Sequence, residues 1–161
     1  MRPGMRNIAS ILTLTLVILA ASAAPARADI TAFIGLTPTP ARHTVKGFSV
    51  GAGLIVVGWE FEFAHTGETD DGLPGLKTYA GNFMVQTPTK TQLYLTTGVE
   101  GYRENLGDIQ ETYFGTNIGG GVKMKLAGPL RLRADYRMFK LQGSPIHDVY
   151  QRFYVGANLK F

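Results

Sequence analysis

The 161-residue chain contains no cysteine, so neither a disulfide framework nor a thiolate metal site is available to it. Past residue 28 it also lacks any uncharged apolar run of the ~20 residues a spanning helix needs. If the body of the chain enters a membrane, it must do so as strands. No stretch of it shows a sustained helical period either. An exported protein without disulfides must be stabilised by a well-packed core, a ligand, a partner or a membrane.

The one long apolar run stands at the N-terminus. Arg2 and Arg6 form a basic head, Ile8 to Ala24 is uncharged and apolar, and Ala26-Arg27-Ala28 supplies a small-x-small cleavage pattern. This order is that of a secretory signal peptide, residues 1–28, cut before Asp29, rather than of an uncleaved membrane anchor. Removing Arg2, Arg6 and Arg27 from the 16 basic residues leaves 13 against 12 acidic ones. The high sequence pI therefore carries no suggestion of nucleic acid. Residues 29–161 are enough for one domain.

Turn residues divide that domain. Pro38 with Pro40, Pro74, Pro88, Pro129 and Pro145 lie between runs of alternating polarity, where a missing amide hydrogen costs a sheet nothing. Val57-Gly58 and the stretch 104–108 mark two further connections. The eight segments between them run over about 30–37, 45–56, 59–65, 76–86, 91–103, 112–126, 130–141 and 149–161. Phe153, Val155, Ala157, Leu159 and Phe161 share one face of the last segment, while Arg152, Tyr154, Gly156, Asn158 and Lys160 share the other. Leu132, Ala134, Tyr136 and Met138 similarly oppose Arg131, Arg133, Asp135 and Arg137, and Trp59, Phe61 and Phe63 oppose Glu60 and Glu62.

A soluble sandwich or barrel alternates too, with its apolar face inward. Here the connections alternate in length as well: long near 38–44, short at 57–58, long at 66–75, short at 87–90, long at 104–111, short at 127–129 and long at 142–148. In an up-and-down barrel this gathers the long loops at one end and the tight turns at the other. The segments also suit a tilted strand that crosses a bilayer in about nine to eleven residues.

With these features the chain resembles the small eight-stranded outer-membrane barrels of the OmpA/OmpX-like type over residues 30–161. The most specific match is the C-terminal strand, where Tyr154, Gly156, Leu159 and Phe161 fall on the positions of that class's terminal insertion signal; only Tyr154 departs from the polar residue expected there. The resemblance implies an all-β, eight-stranded antiparallel up-and-down transmembrane barrel, an outer-membrane address, and the membrane lipid and the barrel-assembly machinery as partners. Phe161 and Trp59 would join the periplasmic aromatic boundary, with Tyr79, Phe114 and Phe153 nearer the outer one.

If the apolar faces meet lipid, the charges face the lumen. Glu60, Glu62, Glu100 and Asp135 would share it with Arg131, Arg133, Arg137 and Arg152, and with Lys123, Lys125 and Lys160. Glu60 and Glu62 begin one ascending strand, and Arg131 and Arg133 begin another across the barrel, which predicts a structural carboxylate–guanidinium network at that level. A gated, anion-preferring pore is the alternative. Eight strands, however, leave a bore that side chains fill.

Other constellations carry less. His43, His65 and His147 lie in or beside long loops near Glu68, Asp70, Asp71 and Asp148, but no two are spaced as metal ligands usually are. His147 with Ser144 and Asp148, or His65 with Thr66 and Glu68, would be the groups to test for a lipid A-modifying enzyme, and neither matches such an enzyme's motif. Gly119-Gly120-Gly121 lacks the Lys-Ser/Thr of a phosphate loop, and the stretch 68–72 is only a fragment of a calcium loop. The reading is a barrel with no catalytic site, metal or cofactor, whose loops serve a structural role or meet an unknown extracellular ligand. A narrow pore, a lipid A-modifying enzyme and a soluble lipocalin-like barrel are the alternatives.

Overall fold

The computed structural model describes residues 27–39, 42–67, 75–106, 109–142 and 149–161. They form eight strands: β1 (Arg27–Thr39), β2 (His43–Gly53), β3 (Val57–Thr66), β4 (Gly75–Gln86), β5 (Thr91–Leu106), β6 (Ile109–Ala127), β7 (Leu130–Leu141) and β8 (Val149–Lys160). Each pairs antiparallel with its sequence neighbour, and β8 closes on β1, where Asp29 faces Lys160 and Leu36 faces Phe153. Closure leaves no free sheet edge around the barrel wall.

Period-two alternation gives the wall two unlike faces. Phe61, Leu95 and Phe114 are 70%, 72% and 71% exposed on the outside, in a belt that includes Phe48, Val50, Phe83, Val99, Ile118 and Val155. Aromatic rings meet across strands on that belt, with Phe48, Phe63 and Tyr79 in sequence over β2, β3 and β4, their ring centres 5.5 and 5.2 Å apart. Glu60, Glu62, Asp135, Arg133, Arg137 and Arg152 are buried inside. An apolar outside around a charged inside is the polarity of a barrel that stands in lipid. It is the reverse of the arrangement in a soluble lipocalin-like barrel.

Three connections differ from the sequence expectation, the first of them the long one expected near 38–44, which spans only 40–42 because β1 runs to Thr39 and β2 begins at His43. The first tight turn, expected at 57–58, lies at 54–56, where the Leu54 amide donates to the Val57 carbonyl at 2.8 Å, while Gly58 belongs to β3 and pairs with Gly53 and Met84. Gly58 is there for close approach: a Cβ on it would come 3.3 Å from the Ala52 carbonyl oxygen. The long loop expected over 104–111 is instead mostly ladder, because Glu104, Asn105 and Leu106 pair with Glu111, Gln110 and Ile109 and only residues 107–108 connect them. At the opposite end Gly128 takes a left-handed φ of 53° ahead of Pro129, which closes the β6–β7 hairpin. The expected signal peptide lies outside the described residues except for Arg27 and Ala28, which open β1; the Ala28 carbonyl accepts a bond from the Phe161 amide at 2.8 Å.

Candidate functional site

Arg133 and Arg137 stand four residues apart on β7, so both point inward, and both are fully buried. Across the barrel on β3, Glu60 and Glu62 do the same. Arg133 grips Glu60 with both terminal nitrogens, Nη1 on Oε2 and Nη2 on Oε1 at 3.2 Å, and Nη2 also donates to Asp135 at 2.9 Å. Arg137 donates through Nε to Asp135 Oδ1 at 3.0 Å and through Nη2 to Glu60 Oε1 at 2.7 Å, and its Nη1 lies 3.1 Å from Glu62. Arg152 completes the set, donating to Glu62 at 2.8 Å and to the Thr78 hydroxyl at 3.3 Å. Three guanidinium groups thus face three carboxylates. The count balances, which is the condition under which buried charges are tolerable.

Uncharged groups finish the network. The Tyr94 hydroxyl accepts from Arg133 Nε at 2.7 Å and donates to Asp135. Tyr154 accepts from Arg137 at 3.2 Å and donates to Glu62 at 3.3 Å. Ser49 donates to Glu60 at 3.0 Å. Arg133 also lies against the faces of Tyr94 and Tyr154, 4.9 and 5.4 Å from the ring centres. The sequence reading overlooked Tyr94 and Ser49 as members. Parity was the available signal, since Tyr94 shares its face of β5 with Gln92 and Thr96, and Ser49 shares its face of β2 with glycines.

Glycines on the inward face make the space for these side chains. A Cβ on Gly121 would press on the Tyr94 ring, 2.8 Å from Cζ, and one on Gly119 would come 2.7 Å from Arg137 Cγ. The Phe33 and Tyr154 rings stack at 4.1 Å, beside Gly156 and Gly47. Gly119-Gly120-Gly121 is therefore a recess in β6 and not a phosphate loop.

Two of the eight expected network residues stand apart. Glu100 is buried on β5 but joins no ion pair among the described residues, with its Oε2 unpartnered. Arg131 lies at the mouth beneath the network and donates to Gln92. It starts its strand one register step too low to reach the acids. Lys123 pairs with Asp29 at 2.7 Å, while Lys125 and Lys160 lie at the same mouth.

Of the terminal motif, Tyr154 and Gly156 face inward, whereas Leu159 and Phe161 are exposed outside. The inward phenol of Tyr154 does the hydrogen bonding a polar residue would do there. Trp59 and Phe161 are exposed near the tight-turn end, and Tyr79, Phe114 and Phe153 are exposed farther along the wall.

Among the described residues no group of three or more His, Cys, Asp and Glu is placed to hold a metal. Glu68, Asp70, Asp71, Ser144, His147 and Asp148 lie outside them, and so does Ala26. His65 is exposed while its neighbour Thr66 is buried, so the two side chains leave opposite faces of β3 and cannot act as a base and nucleophile together.

No protein-family model and no curated protein matches this chain. Solved structures do. The N-terminal barrel domain of Pseudomonas aeruginosa OprF superposes with a TM-score of 0.67 at 15% identity, covering 84% of this chain and 97% of that one. Neisserial surface protein A gives 0.62 at 13% identity, over 84% of this chain and 95% of that one. The outer-membrane enzyme PagL gives 0.54 at 13% identity, over 81% of this chain and 98% of that one. Closed, all-antiparallel and eight-stranded, the chain has the barrel fold of the OmpA/OmpX-like outer-membrane proteins.

Proposed function

We propose that this chain is an exported bacterial outer-membrane protein whose barrel is a closed support for the surface at the end opposite its chain termini, with a structural or surface-interaction role and no catalysis. The observation that carries the reading is the polarity of the wall, apolar outside and ion-paired within. Both chain ends then lie at the periplasmic side with the tight turns, and the assembly machinery recognises Tyr154, Gly156, Leu159 and Phe161. Outside, β5 and β6 continue their ladder to Leu106 and Ile109, whereas β7 ends at Leu141 opposite Gly115. The hairpin stands above its β7 neighbour. It is the natural contact element for an extracellular ligand, together with the connections at 40–42, 67–74 and 142–148.

The lumen speaks against conduction and against acid–base chemistry. Arg133 and Arg137 fill its middle with no exposure, and the carboxylates beside them are engaged by guanidinium groups. Fractionation tests the address: the protein is expected in the outer membrane with heat-modifiable gel migration, and recovery from the soluble periplasm would refute it. Purified protein in planar bilayers should give no steady conductance, and unchanged lipid A mass spectra on overexpression should accompany it. A reproducible open level would favour the narrow pore, and altered lipid A the enzyme.

A further inference from the structure

The outer wall carries an apolar groove of about 430 Å³ across β2 to β6. Its floor is Gly81 and Gly101, and Phe48, Phe63, Tyr79 and Phe114 stand along its upper side. These two glycines leave open space: a Cβ on Gly81 would meet nothing nearer than Phe61 Cε1 at 3.7 Å, and one on Gly101 nothing nearer than Phe114 Cε1 at 4.0 Å. The volume lies within the ~300–1,000 Å³ range of small-ligand sites. Phe48, Tyr79 and Phe114 are exposed on the lipid-facing belt, so the groove opens toward hydrocarbon.

Register sets a basic row directly above this apolar one, on the side away from the tight turns. Phe48, Phe63, Tyr79 and Gly101 face one another in turn across β2 to β5. Two residues along each strand, Lys46 faces His65, His65 faces Lys77, and Lys77 faces Arg103. Strand parity keeps this second row on the same outward face. Lys46, His65 and Arg103 are exposed and Lys77 is half-buried. None of Lys46, Lys77 and Arg103 has an ion-pair partner among the described residues.

A groove that suits an acyl chain and a rim that suits an anion thus meet at one place on the wall. Together they are complementary to a single amphipathic molecule, because ammonium and guanidinium groups at a membrane boundary attract phosphate-bearing heads. A second copy of the chain fits this face poorly. Rotation about the membrane normal would set the same cations against each other.

We propose that the groove and its basic rim bind a phosphate-headed lipid in the leaflet at the end opposite the chain termini. One acyl chain lies over Gly81 and Gly101, and Lys46, Lys77 and Arg103 reach the phosphate. The inference rests on the reading of the wall as lipid-facing and adds to it the selection of one lipid class.

The probe is an equimolar mixture of phosphatidylglycerol and phosphatidylcholine, offered to the folded barrel in neutral micelles, with the retained lipid read by native mass spectrometry. Phosphatidylglycerol should be retained over phosphatidylcholine by roughly tenfold or more. Lys46→Gln/Lys77→Gln/Arg103→Gln should bring that ratio near one. Lys90→Gln/Lys125→Gln/Lys160→Gln removes the same charge at the tight-turn end and should keep the wild-type ratio. Gly81→Val/Gly101→Val fills the floor and should cut retention of both lipids. Heat-modifiable gel migration reports the folding of each variant, and fractionation reads the address separately. A folded, membrane-borne barrel without lipid preference would therefore refute the site and leave the address standing. The proposal is also overturned by an unchanged ratio in the first triple variant, by equal losses in both triple variants, or by full retention in the glycine variant.

Discussion

Replacing Arg133 by methionine asks the most of the lumenal network. The side chain serves Glu60 through two nitrogens, Asp135 through one and Tyr94 through Nε, all at zero exposure. Its loss leaves two guanidinium groups among three carboxylates, with Glu60 held only by Arg137 and Ser49. Breaking a buried pair from one side typically costs about 3–5 kcal/mol, because the surviving charge is left uncompensated. The second change, Glu60→Leu in the Arg133→Met background, removes that surplus charge and restores the balance. An apolar replacement of a whole buried pair is often neutral, so the double variant should recover about 2–4 kcal/mol of the loss. Urea unfolding of the barrel in lipid vesicles measures both, with Trp59 as the chain's single tryptophan and an outward-facing reporter, its ring 6.1 Å from that of Phe83. A single variant within about 1 kcal/mol of wild type, or a double variant less stable than the single, would refute the charge-balance argument.

The outward face provides a sharper test. Val99 is 65% exposed near the middle of β5, so Val99→Arg should cost about 2–4 kcal/mol in a bilayer and almost nothing if water surrounded the barrel; unfolding in vesicles decides between them. Gly121→Ala drives a methyl group against the Tyr94 ring and should destabilise by about 1–3 kcal/mol, with wild-type stability on the same unfolding curve counting against tight filling of the bore. Deleting Phe161 removes an exposed boundary aromatic and the proposed assembly signal, and should slow insertion in cells more than it lowers the stability of refolded protein. Normal assembly kinetics of that deletion would contradict the signal reading.

The barrel was legible because lipid and lumen impose opposite demands on neighbouring residues. Each of β3, β7 and β8 therefore spells its two faces in the sequence, and the strands lie where their alternation put them. Strand ends were less legible. The turn at 54–56 has only Leu, Ile and Val, so no turn chemistry marked it, whereas Gly58 looked like a turn residue and serves close packing instead. Glu104, Asn105, Gln110 and Glu111 resemble loop residues and nonetheless pair as strands beyond the wall. In the network, parity brought Glu60, Glu62, Asp135, Arg133, Arg137 and Arg152 to one face, but height along the bore decided membership. Arg131 differs from Arg133 by one register step and lies at the mouth; Glu100 faces inward without a guanidinium partner in reach of its Oε2. Sequence reports a facing direction more readily than a level.

The order in which the network's parts are synthesised carries a consequence for biogenesis. Glu60 and Glu62 arrive on the third strand, while their counter-ions arrive on the seventh and eighth, and Asn158 bonds back to Thr31 from 127 residues away. Until β7 and β8 dock, the acids of the growing sheet have no cation opposite them, and leaving them in a dry interior would be prohibitive. The half-made barrel must therefore keep a wet trough along its concave side. Drying of that trough is the last event of assembly, and seam closure and lumen dehydration become one step.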